Sequence, residues 1–121
     1  MKEEDVLAFL SATVKSLWAL ELLLLMRRES GRAWQTGALV SELRASTLVV
    51  QDALAGLTGA GLIAKDEGGL FCYRPVSETL DSFVAEAQAL YAAKPLAVIN
   101  TIASAPNEKL RIFSDAFRLK D

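Results

Sequence analysis

The sequence predicts a mainly α-helical domain that carries one small β-hairpin. Apolar residues recur at helical spacing over most of the 121-residue chain. The period changes over 62–75, where two short segments rich in Ile, Phe and Tyr flank the turn-forming sequence DEGG. Hydrophobic residues make up 52% of the chain, against 7 Gly and 3 Pro, which suits one compact domain with a sizeable core.

The run from Leu17 to Met26 is the most apolar part of the chain, and it predicts a buried helix. A helix that spans a bilayer needs roughly 20 consecutive apolar residues, whereas this run has half that length and contains Glu21. The N-terminus is acidic and Arg27 follows the run, although a signal peptide places its basic residues first. We therefore expect no membrane association and a cytoplasmic location.

Periodicity and capping residues divide the first 76 residues into helices and a hairpin. Apolar residues from Val6 to Met26 predict one long helix or two abutting helices, with Ser11 or Ser16 as a cap between them. A polar loop is predicted over 29–35. The next predicted elements are a short helix from its N-cap Thr36 to Arg44, a third helix from Thr47 to Ala60 that ends in Gly59 and Gly61, and the hairpin over 62–75, closed by Pro75.

The C-terminal third predicts further helices that belong to the same compact unit. Ser77 is the expected cap of a helix that extends to about Lys94, and Pro95 starts another, because proline is tolerated at the first helical position. From Pro106 onward a last segment is amphipathic and basic; its apolar residues are Leu110, Phe113 and Phe117, and its basic residues are Lys109, Arg111, Arg118 and Lys120. We divide the chain into a domain at 1–76 and a helical extension at 77–121.

The composition argues against an enzyme. The chain has no histidine and one cysteine, Cys72, so the common metal-ligand sets and the histidine-dependent nucleophile constellations are absent. The acidic residues lie in polar stretches, where nothing is expected to raise a carboxyl pKa. We expect no cofactor and no metal.

Cys72 and the two tryptophans are interpreted as structural residues. Cys72 has no resolving partner, so we interpret it as a half-buried strand residue rather than a redox switch. We interpret Trp18 and Trp34 as core residues rather than the walls of a ligand pocket.

The segments Leu39 to Leu43 and LAGLTGAGLIAKDEGG, from Leu54 to Gly69, carry a family resemblance. They resemble the MarR-like regulators of the winged helix-turn-helix superfamily, in which a leucine-rich third helix leads through an A-x-G-L-[IV] exit into a hairpin wing. The resemblance covers about half of the chain, from Leu17 to Pro75. It implies a sequence-specific, DNA-binding transcriptional regulator whose third helix enters the major groove of duplex DNA.

Matching the third helix to this pattern selects a small set of candidate DNA contacts. Gln51 is expected to read a base edge, and the others to contact phosphates from the third helix, from the residues before it or from the hairpin. The full set is Arg44, Ser46, Thr47, Gln51, Lys65 and Arg74.

The charge of this region leaves a second function open. Six basic and five acidic residues lie between Arg27 and Arg74, a net charge of +1, and the whole chain carries −2. Weak nonspecific DNA affinity follows, with a shallow salt dependence. The alternative is a winged-helix protein-interaction module that does not bind DNA, in which Leu48 and Val49 touch a protein partner.

Under either function, the C-terminal helices have more apolar surface than a small core needs, which predicts a homodimer or a docked protein partner.

Overall fold

The computed structural model describes residues 1–104, which fold into helices around a small antiparallel sheet. This confirms a mainly helical protein with a two-stranded hairpin. The predicted segment that begins at Pro106 lies outside the described residues. In chain order the elements are α1 (Glu3–Thr13), α2 (Leu17–Arg28), α3 (Thr36–Leu43), α4 (Thr47–Gly59), β1 (Ile63–Lys65), β2 (Phe71–Tyr73), α5 (Glu78–Ala93) and α6 (Pro95–Ser104).

The first apolar region forms two helices, and Ser16 separates them. Its Oγ accepts a hydrogen bond from the Ala19 N–H at 3.0 Å, which caps the exposed start of α2. The chain bends by 107° between α1 and α2. Within residues 1–104, no single helix is both long and apolar enough to cross a membrane; α1 and α2 reach that composition only as this bent pair.

The short helix α3 begins one residue earlier than its predicted cap allows. Gln35 is the N-cap residue and makes no capping bond with its side chain, so Thr36 is the first helical residue. The prediction that Thr36 caps α3 was therefore wrong by one position, because Gln35 already has the extended backbone of a cap residue. The next helix, α4, is capped by Ser46, whose Oγ accepts from the Val49 N–H at 3.1 Å.

The hairpin pairs β1 with β2 in antiparallel register, with Ala64 opposite Cys72. Gly61 precedes β1 with a φ of +78°, the left-handed conformation that glycine adopts without strain. Gly59, the other predicted stop residue, is the last residue of α4 and is helical. Upstream of the hairpin, Trp34 forms an isolated bridge with Phe71. Each of these two residues donates its N–H to the carbonyl of the other, at 2.7 and 2.8 Å.

Helices α5 and α6 pack against α1, and Ser77 caps α5 as predicted. The rings of Phe9 and Phe83 stack with centroids 4.9 Å apart. At the far end of α5, the Lys94 Nζ lies 2.8 Å from the Glu3 carboxylate, so α5 runs antiparallel to α1. Pro95 is the first residue of α6, as predicted.

The core is built around α2, with residues from every helix and from β1. Leu20, Leu22, Leu23 and Met26 are fully buried, which explains the wide apolar run of this helix. The apolar stripe predicted for α4 packs onto α2; its members Val50, Ala53, Leu54 and Leu57 are all buried. This packing turns the opposite side of α4 outward.

Candidate nucleic-acid interface

A tight turn connects α3 to α4. Arg44 ends α3 in the left-handed conformation, with a φ of 55°. The Ala45 N–H donates to the Val40 carbonyl at 3.3 Å, which closes the turn. Ser46 then starts α4, so two residues separate the C-cap of α3 from the first residue of α4. α3 and α4 are therefore consecutive helices joined by a short turn.

The outward side of α4 is exposed along its whole length and carries small or neutral side chains. Thr47 and Leu48 are exposed in its first turn, and Gln51 is exposed in the second. Between Thr47 and Gly59 the sequence has no basic residue, and Asp52 is its one charged residue. This helix therefore offers hydrogen-bonding groups and apolar surface, but no cation, to a partner.

The hairpin supplies the cations that α4 lacks. Lys65 is exposed at the end of β1, where its Nζ lies 5.5 Å from the centroid of the Phe71 ring, a distance suited to a cation–π contact. Arg74 is exposed directly after β2. The turn between the strands is closed by Asp66, whose Oδ1 accepts from the N–H groups of Gly68 and Leu70, both at 2.9 Å.

The structure exposes every residue that the sequence analysis selected for DNA contact. Four of them lie close together on the turn and the first turns of α4, and two lie on the hairpin. Ser46 already accepts a hydrogen bond as the cap of α4, and its hydroxyl hydrogen can still be donated to a phosphate. The first group is Arg44, Ser46, Thr47 and Gln51, and the second is Lys65 and Arg74.

A groove beside α4 was not predicted. It has a volume of about 300 Å³ and lies between α4 and the connection from α1 to α2; we call it the α2–α4 groove, lined by Thr13, Lys15, Ser16, Trp18, Ala19, Val49, Asp52, Ala53, Gly56 and Leu57. Trp18 is 43% exposed, so its prediction as a core residue was wrong, whereas Trp34 is buried as predicted. Trp18 lies in the first turn of α2, just after the cap Ser16. A first-turn position at a bend is the one sequence signal that could have indicated its exposure.

A polar network joins the hairpin to α2 and α5. The Tyr73 hydroxyl on β2 donates to Asp81 Oδ1 at 2.6 Å. Arg27 Nε lies 3.9 Å from the same oxygen, and Arg27 Nη1 donates to Gln88 Oε1 at 2.8 Å. Burial raises the pKa of Tyr73, and the hydrogen bond to Asp81 raises it further. The sequence analysis missed this network because its members lie on three separate elements.

The opening stretch also has a polar contact to α5. The Tyr91 hydroxyl donates to Glu21 Oε1 at 3.0 Å, so Glu21 is held at the side of α2 rather than left in solvent. Burial raises the pKa of Tyr91, and its bond to Glu21 adds to this effect. This bond and the bond of Arg27 to Gln88 both hold α5 against α2.

In the part of the chain that the structure describes, no three His, Cys, Asp or Glu side chains form a group that could hold a metal ion. Cys72 is half-buried on β2, as expected for a strand residue. No protein-family model, curated protein or solved structure matches the chain.

Proposed function

We propose that residues 1–76 form a winged helix-turn-helix domain of a sequence-specific transcriptional regulator that binds duplex DNA. The order of the elements supports this proposal: α2 is followed by α3, a tight turn, α4 and the hairpin. Between α2 and α3, Trp34 forms an isolated β-bridge with Phe71 of the hairpin. The double hydrogen bond between Trp34 and Phe71 supports the proposal, because it attaches the segment before α3 to the hairpin. In this architecture α4 is the recognition helix and the hairpin is the wing.

The proposed complex places the outward side of α4 in the major groove. Gln51 then reads adenine in bidentate fashion through its amide, and Thr47 contacts a phosphate at the start of the helix. The exposed guanidinium of Arg44 and the hydroxyl of Ser46 follow the same strand. Lys65 and Arg74 on the wing meet the phosphates beside the groove.

Few cations take part, so the electrostatic contribution to affinity is small. Three exposed basic side chains, those of Arg44, Lys65 and Arg74, face DNA in this proposal. Each neutralised phosphate contributes a slope of about −0.9 to the dependence of log K on log salt concentration. The slope is therefore expected to be no steeper than about −3. Sequence recognition by Gln51 and by shape would then provide most of the specificity.

Selection of bound genomic fragments by the full chain, followed by titration at two salt concentrations, tests the proposal. Gln51→Ala should reduce discrimination between bound and random sequences by about 1 to 3 kcal/mol. Arg44→Gly and Arg74→Ala should weaken all sequences alike and flatten the salt slope. Glycine adopts the left-handed conformation of position 44 without strain, so this variant is expected to stay folded, and its unfolding midpoint checks that. The proposal would be contradicted if no fragment were enriched and if the affinity for DNA were too weak to measure even at low salt.

We also propose a homodimer, in which two copies present two recognition helices to two half-sites. Its support is the exposed apolar surface of the C-terminal half, where Leu96 on α6 is 71% exposed. Closed dimers use one self-complementary patch from each copy. The same surface is the proposed docking site if the helices bind a different protein instead.

A second candidate function is protein recognition without DNA. One observation favours it: Leu48 is 67% exposed on the outward side of α4, where an apolar residue suits a protein surface as well as it suits a thymine methyl group. Here Leu48 and Val49 would touch the partner. Leu48→Ser should then abolish co-purification of the partner, while Arg74→Ala leaves it unchanged. The reverse pattern, in which only the basic residues matter, returns the assignment to DNA.

A further inference from the structure

Leu48 lies in the middle of the outward side of α4. Successive residues of an α-helix are about 100° apart around its axis, so Leu57, nine residues later, lies on the opposite side of the helix. Leu57 is 1% exposed and belongs to the core, whereas Leu48 is 67% exposed. With α4 in the major groove, as the proposed function requires, Leu48 is therefore directed at the base edges.

The side chains next to Leu48 on this side of the helix are polar or small. Gln51 and Asp52 follow it by one helical turn, and both are exposed. Further along the same side come Ala55 and Gly59, also exposed. A Cβ atom placed at Gly59 would meet nothing within 4 Å. The middle of the outward side thus presents one large apolar group beside one amide and one carboxylate.

Each of these three groups favours particular base edges in the major groove. The C5 methyl of thymine is the apolar group exposed there, so it is the match for the Leu48 side chain. The Gln51 amide matches N6 and N7 of adenine. The Asp52 carboxylate accepts hydrogen bonds only, so the acceptors O6 and N7 of guanine repel it. Two of the groups therefore favour an A·T pair, and the third disfavours guanine.

We propose that Leu48 determines base specificity by packing on the methyl group of a thymine close to the adenine that Gln51 reads. Residues three apart on a helix have Cβ atoms about 5 to 6 Å apart, and successive bases of one DNA strand are about 3.4 Å apart along the axis. The thymine therefore lies no more than two base steps from that adenine. This contact rests on the proposed function, because it names part of the base sequence that the same helix recognises.

Deoxyuridine tests the contact, because it lacks the methyl group of thymine and pairs with adenine in the same way. Each thymine of the enriched fragment is replaced in turn, and each DNA is titrated with the full chain at one salt concentration. One replacement should weaken binding about fourfold, which corresponds to about 0.8 kcal/mol for one buried methyl group. It should lie within two base steps of the position where Gln51→Ala relaxes the base preference. If no replacement weakens binding, or if the sensitive thymine lies further away, the proposed contact is overturned while DNA binding stands.

Two variants then link the methyl group to Leu48. Leu48→Ala should bind the thymine-containing fragment less tightly and should lose its sensitivity to deoxyuridine at that position. Leu48→Met keeps an apolar side chain of similar size and should retain the sensitivity. Equal sensitivity in Leu48→Ala and in the unsubstituted chain would overturn the contact, because another group would then touch the methyl. If the chain enriches no fragment at all, the proposed function and the contact fail together.

Discussion

The hydroxyl of Tyr73 on β2 donates a 2.6 Å hydrogen bond to the carboxylate of Asp81 on α5. This bond connects the hairpin to the C-terminal helices across eight residues of sequence. Arg27 on α2 stands beside the same carboxylate, so three elements meet there. The proposed wing and the proposed dimerisation helices are therefore joined through one partly buried acid.

Tyr73→Phe should destabilise the protein by about 1 kcal/mol, because it removes one partly buried hydrogen bond while Arg27 still neutralises Asp81. Urea unfolding at pH 7 measures the change in free energy. Tyr91→Phe is the matched comparison, because it removes the hydrogen bond of a tyrosine on α5 to the Glu21 carboxylate on α2. A Tyr73→Phe protein as stable as the unsubstituted chain would show that the bond contributes nothing.

The same substitution should change the stability at high pH. The pKa of Tyr73 is raised in the folded state, mainly by burial, so above pH 10 the unfolded chain loses the phenolic proton first. Fewer protons on the unfolded chain mean that the free energy of unfolding falls as pH rises. Between pH 10 and 11 this fall should be smaller in Tyr73→Phe. Parallel curves for the two proteins would contradict the assigned shift.

The two tryptophans should differ sharply in their contribution to stability. Trp34 is 1% exposed and Trp18 is 43% exposed. Trp34→Ala should cost about 3 to 5 kcal/mol, because it leaves a large cavity under the hairpin. Trp18→Ala should cost about 1 kcal/mol or less. Chemical denaturation of both variants checks this order, and comparable losses would contradict it.

Two glycines should respond to alanine in opposite directions. Gly61 has a φ of +78°, and a Cβ atom there would lie 3.0 Å from Val76 Cγ2. Gly61→Ala should therefore destabilise the protein, by about 1 to 2 kcal/mol. Gly56 lies inside α4 with open space around it, so Gly56→Ala should stabilise by about 0.5 to 1 kcal/mol. Thermal unfolding should move the two midpoints apart; a shift of both in one direction would refute this.

The proposed dimer makes one prediction that needs no DNA. Leu96→Asp places a charge on an exposed apolar position of α6, so it should convert a dimer to a monomer with little loss of monomer stability. Size-exclusion chromatography with light scattering gives the mass. The control Val76→Asp alters an apolar residue that is equally exposed but lies before α5. A monomeric full-length chain at high concentration would rule out the dimer.

Local sequence signals predicted most of the elements, because helix periodicity and capping act over a few residues. Three helices are capped by serine side chains through contacts that span three residues, and such contacts can be predicted from the sequence. The capping residues are Ser16, Ser46 and Ser77. The hairpin was likewise predicted from the change in hydrophobic periodicity and from its turn residues. The cap of α3 was predicted one residue too late, because the observed N-cap residue Gln35 makes no capping bond with its side chain.

Contacts between distant residues were not predicted. The bridge of Trp34 to Phe71 involves one residue on each side and has no periodicity. The bond of Tyr73 to Asp81 depends on how α5 lies against β2, and the bond of Tyr91 to Glu21 depends on how α5 lies against α2. Exposure of the six candidate DNA contacts followed from the apolar stripe of α4 and from the hairpin, so their accessibility was predictable.

The paired peptide bonds between Trp34 and Phe71 also limit how the hairpin moves. Both amide hydrogens are donated to backbone carbonyls, and the Arg32 Cζ lies 3.5 Å from the centroid of the Trp34 ring. Deuterium should therefore replace them slowly, and only when the bridge between Trp34 and Phe71 opens. The amide of Glu67, in the exposed turn, has no such constraint and should exchange quickly. Phe71 is the β2 residue next to the turn and pairs with Lys65, so the bridge holds the turn end of the hairpin to the segment before α3 and restricts the swing of the hairpin as a whole.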